Sequence, residues 1–387
     1  MMLRIFQLLL SIFAFGLTVV LSAESRPLPP VRASQENIEK VLRAFAQAQK
    51  QVGEKEKELF PVENKEWRTP GKIGQISGIS VDPTGKPVIF HRAGRVWTQN
   101  TFDKNFRYSE ASTGPIPFDT ILTLNPSSGV VENGWGSYMF FLPHGLHIDH
   151  HGNYWLTDVA LHQVFKFPRD SIVPELVIGE RFVPGNDRDH FCQPTSVAVS
   201  RYGEVVVTDG YCNNRIMIFD YFGNLLDRIP QPGEFMALRI PHGVTILESG
   251  EICVADRENM RVICMNAGIG GSQEKRGPPL TIQQPDLGRV FAIASYGNIV
   301  YAVNGLTSPL IPVQGFTMNP KTERIDSHWG PVSESFTNPH AMAISPNGTE
   351  LYVSEIGPNR VWKFDLVRIN RRLETLMTVM DILNEEK

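Results

Sequence analysis

Three histidines, each directly after a proline, recur at a fixed interval in this chain: Pro143-His144, Pro241-His242 and Pro339-His340. The spacing is 98 residues both times, from 144 to 242 and from 242 to 340. Neutral imidazole is the commonest metal ligand among side chains, and three imidazoles with an open fourth position describe a catalytic zinc site. A single histidine beside a proline is ordinarily structural. Three at equivalent places of a repeat are not what repeat drift produces. Midway between them stand Pro194-Thr195 and Val290-Phe291, which open similar segments without a histidine. The unit is thus about 49 residues, with a histidine in every second copy.

The segments that must position these residues share one pattern. Stretches 144–158, 195–209 and 242–256 each carry a short alternating apolar run, a Gly-containing turn and a second β-rich run. They end in Asp158, Asp209 and Asp256, each 14 residues after the opening position, while 340–355 is one residue longer and ends in Glu355. Alternation with this turn chemistry marks β-hairpins. Further strands are expected at 163–167, 215–219, 261–265 and 360–364. Four strands per unit at this period predict an all-β, six-bladed β-propeller, which a sandwich or barrel cannot replace. Its blades open near Ser77, His144, Thr195, His242, Phe291 and His340, and the first is followed by a longer insertion over about 98–135.

In a propeller, the opening residue of each inner strand and the residues just after the second strand meet at one mouth of the central channel. The first kind of position holds His144, His242 and His340 in alternate blades. The second kind holds His91-Arg92, Asp209-Gly210-Tyr211 and Asp256-Arg257. Metal ligands, two guanidinium groups and a phenol would share one mouth. The recurring aspartates occur in blades with and without histidine, so they read as turn-capping scaffold. His147, His150, His151 and His162 fall on turns or strand faces and are expected at the surface.

The propeller is expected over 71–365, preceded by a helical or linker segment at 24–70 and followed by an amphipathic helix at 366–387. The last of these places Leu366, Ile369, Leu373, Leu376, Met380 and Leu383 on one face. Residues 1–23 read as a signal peptide: Arg4, an apolar stretch from Ile5 to Leu21, and a small-residue cleavage site at Val20-Leu21-Ser22-Ala23. The apolar run approaches spanning length, but the small residues and prolines that follow favour cleavage over a stable membrane span. Secretion suits the cysteines, Cys192, Cys212, Cys253 and Cys264, an even number in a potentially oxidising setting. Three pairings are open in principle; the short loops favour neighbours, and no CxxC spacing supports a zinc finger. Asn347-Gly348-Thr349 is a glycosylation acceptor sequence. The 387 residues are 42% hydrophobic and 20% charged with a net charge of −4, which favours neither nucleic acid nor an anionic membrane surface. No glycine-rich nucleotide loop is present.

The segments FLPHGL (141–146), TDVALHQVFKF (157–167), HFCQPTSVAV (190–199), DGYCNNRI (209–216), CVADREN (253–259) and VQGF (313–316) resemble peptidyl-α-hydroxyglycine α-amidating lyase. The likeness runs from about residue 75 to 365, and the blades are more distantly similar to NHL repeats. It implies zinc on His144, His242 and His340, disulfides Cys192–Cys212 and Cys253–Cys264, an active-site tyrosine at Tyr211 and essential arginines at Arg92 and Arg257. The implied reaction cleaves a peptidyl-α-hydroxyglycine into a peptide amide and glyoxylate. Tyr211, near a metal and two arginines, is expected to ionise more easily and act as base. An arginine suits the substrate carboxylate better than a lysine would.

Two departures stand out. Asn338-Pro339-His340-Ala341 replaces the family's Met-Pro-His-Asp. The aspartate serves a structural calcium site there; backbone oxygens of Ile79 and Leu146 remain, but without a carboxylate a hard divalent cation binds weakly. No copper monooxygenase domain precedes the propeller, so the hydroxylated peptide is expected from a separate enzyme. Two other classes compete: a calcium-dependent lactonase, whose axial oxygens are here histidines, and a non-catalytic NHL-type module or inactive paralogue, which would need no such pattern.

Overall fold

The computed structural model describes residues 59–368 apart from 70, 72 and 272–275. Within them the strands form six antiparallel four-stranded sheets arranged as blades. The inner strands are Ile76–Val81, Pro143–Ile148, Ser196–Val199, Pro241–Ile246, Arg289–Tyr296 and Pro339–Ile344. Each packs on the inner strand of the next blade, and the sixth packs on the first, which closes the ring. The second strands are buried along most or all of their length, and throughout at Val205–Asp209 and Ile252–Asp256, because a neighbouring blade covers each face. That explains their near-continuous runs of Val and Ile. One apolar cluster, for example, joins Ala198, Val206 and Ile216 of blade three to Val244, Val254 and Ile263 of blade four.

Blade six is a composite. Its outer strand is Leu59–Glu63, paired with Asn359–Arg368 so that Leu59 faces Arg368 and Glu63 faces Phe364. The propeller therefore starts before the expected boundary at 71 and runs past 365. Leu366, expected to begin a helix, is a buried strand residue. Val367 and Arg368 continue the same strand, and the rest of that helix, the segment from Ser34 to residue 58 and the signal sequence lie outside the described residues. Among the described residues no helix is long and apolar enough to cross a membrane.

Two local devices matter for the mouth. In five of the six inner strands the pairing register shifts at the opening residue, between Ile76 and Gly78, Pro143 and Leu146, Pro241 and Val244, Val290 and Ala292, and Pro339 and Ala341. Such a bulge turns a side chain away from the regular pleat, here toward the axis. Gly145 is required by this approach, since a Cβ there would stand 2.8 Å from the Thr195 carbonyl. The second device is the recurring carboxylate. Asp158 accepts from the amides of Phe141, Leu142, Ala160 and Leu161, and Asp209 from the Cys192 amide and the Arg215 guanidinium. Glu355 does the same for the amides of Thr337 and Asn338. These are scaffold acids.

The blade-one insertion occupies 92–120, shorter than expected, because Ile121–Leu124 and Val131–Trp135 are that blade's outer strands. Disulfides join Cys192 to Cys212 and Cys253 to Cys264, the second pair directly opposed on adjacent strands.

Candidate active site

His144, His242 and His340 are 1%, 2% and 4% exposed, and their ligand atoms all lie within 4.8 Å of one another. Each is aimed by a hydrogen bond to the opening residue of the following blade. Nδ1 of His144 lies 2.6 Å from the Thr195 carbonyl, Nδ1 of His242 lies 2.7 Å from that of Phe291, and Nδ1 of His340 lies 2.9 Å from that of Ser77. A carbonyl only accepts, so each Nδ1 carries the proton and each neutral ring turns an unprotonated Nε2 inward. Burial holds all three rings neutral, reinforced by mutual repulsion and the nearby arginines: His144 and His242 are well below the ordinary value and His340 falls to about 3.

The histidine-free blades complete the stitching. Ser77 Oγ donates to the Pro143 carbonyl and Thr195 Oγ1 to the Pro241 carbonyl, both at 2.8 Å. Blades one and three thus use hydroxyls to hold the strands on which His144 and His242 sit. The sequence places Ser77 and Thr195 at opening positions that alternate with histidine, and the bonds of their hydroxyls are what the structure adds.

The Tyr211 hydroxyl lies 2.9 Å from Nε2 of His144 and 3.0 Å from Nε2 of His242. It follows the second strand of blade three, where Cys212 is tied to Cys192. Here the donor count is informative. Three Nε2 lone pairs converge in a buried space, and one hydroxyl proton can serve only one of them. Buried acceptors without donors are costly. A cation shared by the three nitrogens removes that cost, and three neutral imidazoles suit zinc. The donor set fits the metal that the spacing predicts.

Arg92 is 2% exposed. Its Nε donates to the Pro143 carbonyl at 2.9 Å, its Nη1 to Gln75 Oε1 at 3.1 Å, and its Nη2 is buried without a partner. Burial lowers it to about 10, so it stays cationic at neutral pH. Arg257 lies over two rings, 4.9 Å from the Phe291 centroid and 5.4 Å from that of Tyr211, and Glu258 Oε1 fixes its Nε at 3.0 Å. The protein groups alone work against the expected ionisation of Tyr211. Burial raises the Tyr211 hydroxyl above its ordinary value, outweighing Arg257 and Arg92, so the phenol is protonated when only protein groups surround it.

The other predicted residues lie elsewhere. Ile79, Leu146 and Ala341 line the axial channel, a cavity of about 540 Å³ that also touches the three histidines. Ala341 contributes no carboxylate there. Asn338 is exposed at the rim, its amide donating to the Gly357 carbonyl at 2.8 Å. Asn347 is exposed on the turn between the first two strands of blade six. His162, expected at the surface, is fully buried, and His147 is half-buried in the channel wall. Trp97, in the insertion, was not singled out from the sequence, yet it packs on Tyr211 with centroids 4.8 Å apart.

The NHL repeat family matches residues 191–219 and 238–265. The chain is 52% identical over 312 residues to peptidyl-alpha-hydroxyglycine alpha-amidating lyase 2 of Drosophila melanogaster, covering 79% of this chain and 76% of that one. It is 40% identical to lyase 1 of the same organism, over 76% of this chain and 57% of that one. Against peptidyl-glycine alpha-amidating monooxygenase B of Xenopus laevis it is 43% identical over 80% of its length but spans only 36% of that protein. The crystal structure of selenomethionine-substituted virginiamycin B lyase from Staphylococcus aureus matches with a TM-score of 0.50 at 13% identity, over 80% of this chain and 99% of that one. That likeness concerns the fold alone.

Proposed function

The chain belongs to the peptidyl-α-hydroxyglycine α-amidating lyases, carbon–nitrogen lyases of peptide amidation, and on that footing we propose how its residues divide the cleavage between them. The single observation that carries the proposal is the convergence of three neutral Nε2 atoms on the hydroxyl of Tyr211. Zinc held by His144, His242 and His340 would supply Lewis acidity for the substrate hydroxyl and the positive charge that brings the neighbouring phenol to ionise.

The substrate is a carbinolamide with a terminal carboxylate. Arg92, with an unpartnered Nη2 in a buried setting, offers a planar cation to that carboxylate. Arg257, fixed by Glu258 and lying over Tyr211, stabilises negative charge on the phenol oxygen. Tyr211 takes the proton of the substrate hydroxyl. The O–H electron pair then forms the carbonyl of glyoxylate, the C–N bond breaks, and its pair remains on the amide nitrogen. The proton held by Tyr211 goes to that nitrogen, giving the peptide amide. No oxidant or second reactant is needed.

The hydroxylated peptide would come from a copper-dependent peptidylglycine monooxygenase, the activity that several of the relatives carry in their names. Secretion is supported by the apolar leader at 1–23, two disulfides and an exposed Asn347 as glycan acceptor. Calcium does not enter the reading, because Ala341 stands where a ligand carboxylate would be needed. The test is glyoxylate release from a synthetic peptidyl-α-hydroxyglycine, with zinc content measured before and after chelation. Near-stoichiometric zinc and chelator-sensitive turnover are expected. Bound zinc without turnover would leave a binding protein, and absence of zinc would remove the three-histidine argument.

A further inference from the structure

Between the second and third strands of blade one, the 92–120 segment returns over the mouth as a fastened cap. Arg95 is its main anchor: Nη1 donates to the Phe141 carbonyl at 3.1 Å and to the Tyr108 hydroxyl at 3.2 Å, and Nη2 reaches Thr113 Oγ1 at 3.2 Å as well as the Gly114 carbonyl. Asp103 Oδ1 accepts from the amides of Asn105 and Arg107, which fixes the tip. The cap carries Trp97. Its indole has three aromatic or cationic neighbours: the Tyr211 ring at 4.8 Å and 50°, the Phe102 ring at 5.0 Å, and the Arg92 guanidinium 5.7 Å from its centroid.

The three contacts do different things. Phe102 and the apolar cluster of Tyr108, Phe141, Leu142 and Leu161 hold the indole in place. Tyr211 meets the His144 and His242 rings, at centroid separations of 5.4 and 5.7 Å, and the indole packs on the same ring. Arg92 is held at one end by Pro143 and Gln75, and the indole lies beside its remaining face. Aromatic pairs and cation–π contacts at such separations are attractive enough to favour one rotamer.

We propose that Trp97 is a positioning residue for the lyase reaction, setting the Tyr211 hydroxyl and the Arg92 guanidinium in one geometry from a single side chain of the blade-one cap. The inference rests on the roles given above to Tyr211 and Arg92. Small displacements of reacting groups are expensive, and a misplacement of about 1 Å costs on the order of a hundredfold in rate. Trp97→Ala is expected to lower kcat by roughly ten- to a hundredfold, with zinc content and thermal midpoint close to those of the parent. Trp97→Phe keeps an aromatic face and is expected to recover most of that loss. If Tyr211 is the path by which Trp97 acts, the double variant Trp97→Ala/Tyr211→Phe is no slower than Tyr211→Phe alone.

Binding of an unreactive peptide ending in glycine, followed by calorimetry, reads the Arg92 arm without turnover. Trp97→Ala should weaken it severalfold and Trp97→Phe much less. Full kcat and full peptide affinity in Trp97→Ala would overturn the proposal. So would additive losses in the double variant, or an equal loss in Trp97→Phe, since both point to general destabilisation. Should the parent protein release no glyoxylate, the failure lies with the roles of Tyr211 and Arg92; a parent that turns over normally beside an unaffected Trp97→Ala isolates the failure to Trp97.

Discussion

The hydroxyl oxygen of Tyr211, in blade three, stands 2.9 Å from Nε2 of His144, in blade two. The Nε2 lone pair can accept the phenol proton or bind the proposed metal but not both, so the two proposed roles meet at this contact. Tyr211→Phe keeps the ring packing and removes that oxygen. Turnover is expected to fall by about a hundredfold or more, in the range seen for lost general bases, while zinc stays bound. Glyoxylate release measured beside metal content checks it; undiminished turnover removes Tyr211 as the base.

Of the three proposed ligands, His340 has no contact with Tyr211, so its replacement tests metal binding most directly. His340→Ala leaves two ligands, and zinc retention after dialysis should fall by well over the roughly tenfold that a lost outer-shell partner costs. His147→Gln, in the same channel wall, should retain the metal. Comparable zinc in the two variants would show that the three imidazoles do not act as a set.

Arg92→Lys preserves charge and loses the planar fork. The expected result is a fall in kcat/KM of roughly tenfold or more toward a substrate with a free carboxylate. For an analogue whose carboxylate is esterified, the same substitution should matter much less. Equal losses for both would mean that Arg92 does not address the carboxylate.

His162 supplies a pH dependence separate from the metal ligands. Burial lowers it from 6.5 to about 4, and the folded protein therefore binds its proton less readily than the unfolded chain. Its neutral form is matched to the fold above pH 6.5; as pH falls toward 4, stability is lost, by about 3 kcal/mol at most. The residue also has a φ of 57°, which asparagine tolerates. His162→Asn should show a smaller drop in thermal midpoint between pH 7.5 and pH 4.5 than the parent. An identical drop would place the acid sensitivity elsewhere.

Ala341→Asp puts a carboxylate into the channel wall beside Ile79 and Leu146. Unpaired, it should lower the thermal midpoint in chelator; millimolar calcium should restore it if the carbonyl oxygens there can complete a site. No response to calcium would show that more than one residue separates this channel from a calcium site.

Much of this arrangement was legible because it repeats. The interval between His144, His242 and His340 carries the blade count, and the aspartates at a constant offset mark where each second strand ends. What does not repeat was missed. Trp97 lies in an insertion without periodicity, and nothing local shows that it meets Tyr211, more than a hundred residues later. The strand Leu59–Glu63 is short and contains Pro61, and only its partner Asn359–Arg368, at the far end of the chain, makes it a strand. The opposing effect of burial on Tyr211 was not legible, because charges can be read from a sequence and desolvation cannot.

The composite sixth blade has a consequence for how the protein becomes active during synthesis. The strand that completes it is made among the earliest parts of the propeller, and its pairing partner last. His340 lies on the inner strand of the same blade, with its Nδ1 bonded to the Ser77 carbonyl of blade one. A ribosome-bound chain could present His144 and His242 yet hold no third imidazole against Ser77. On the proposed reading of the three histidines as zinc ligands, metal capture would wait until the strand Asn359–Arg368 has been made, and a product truncated within blade six would be left out of the zinc-bound population.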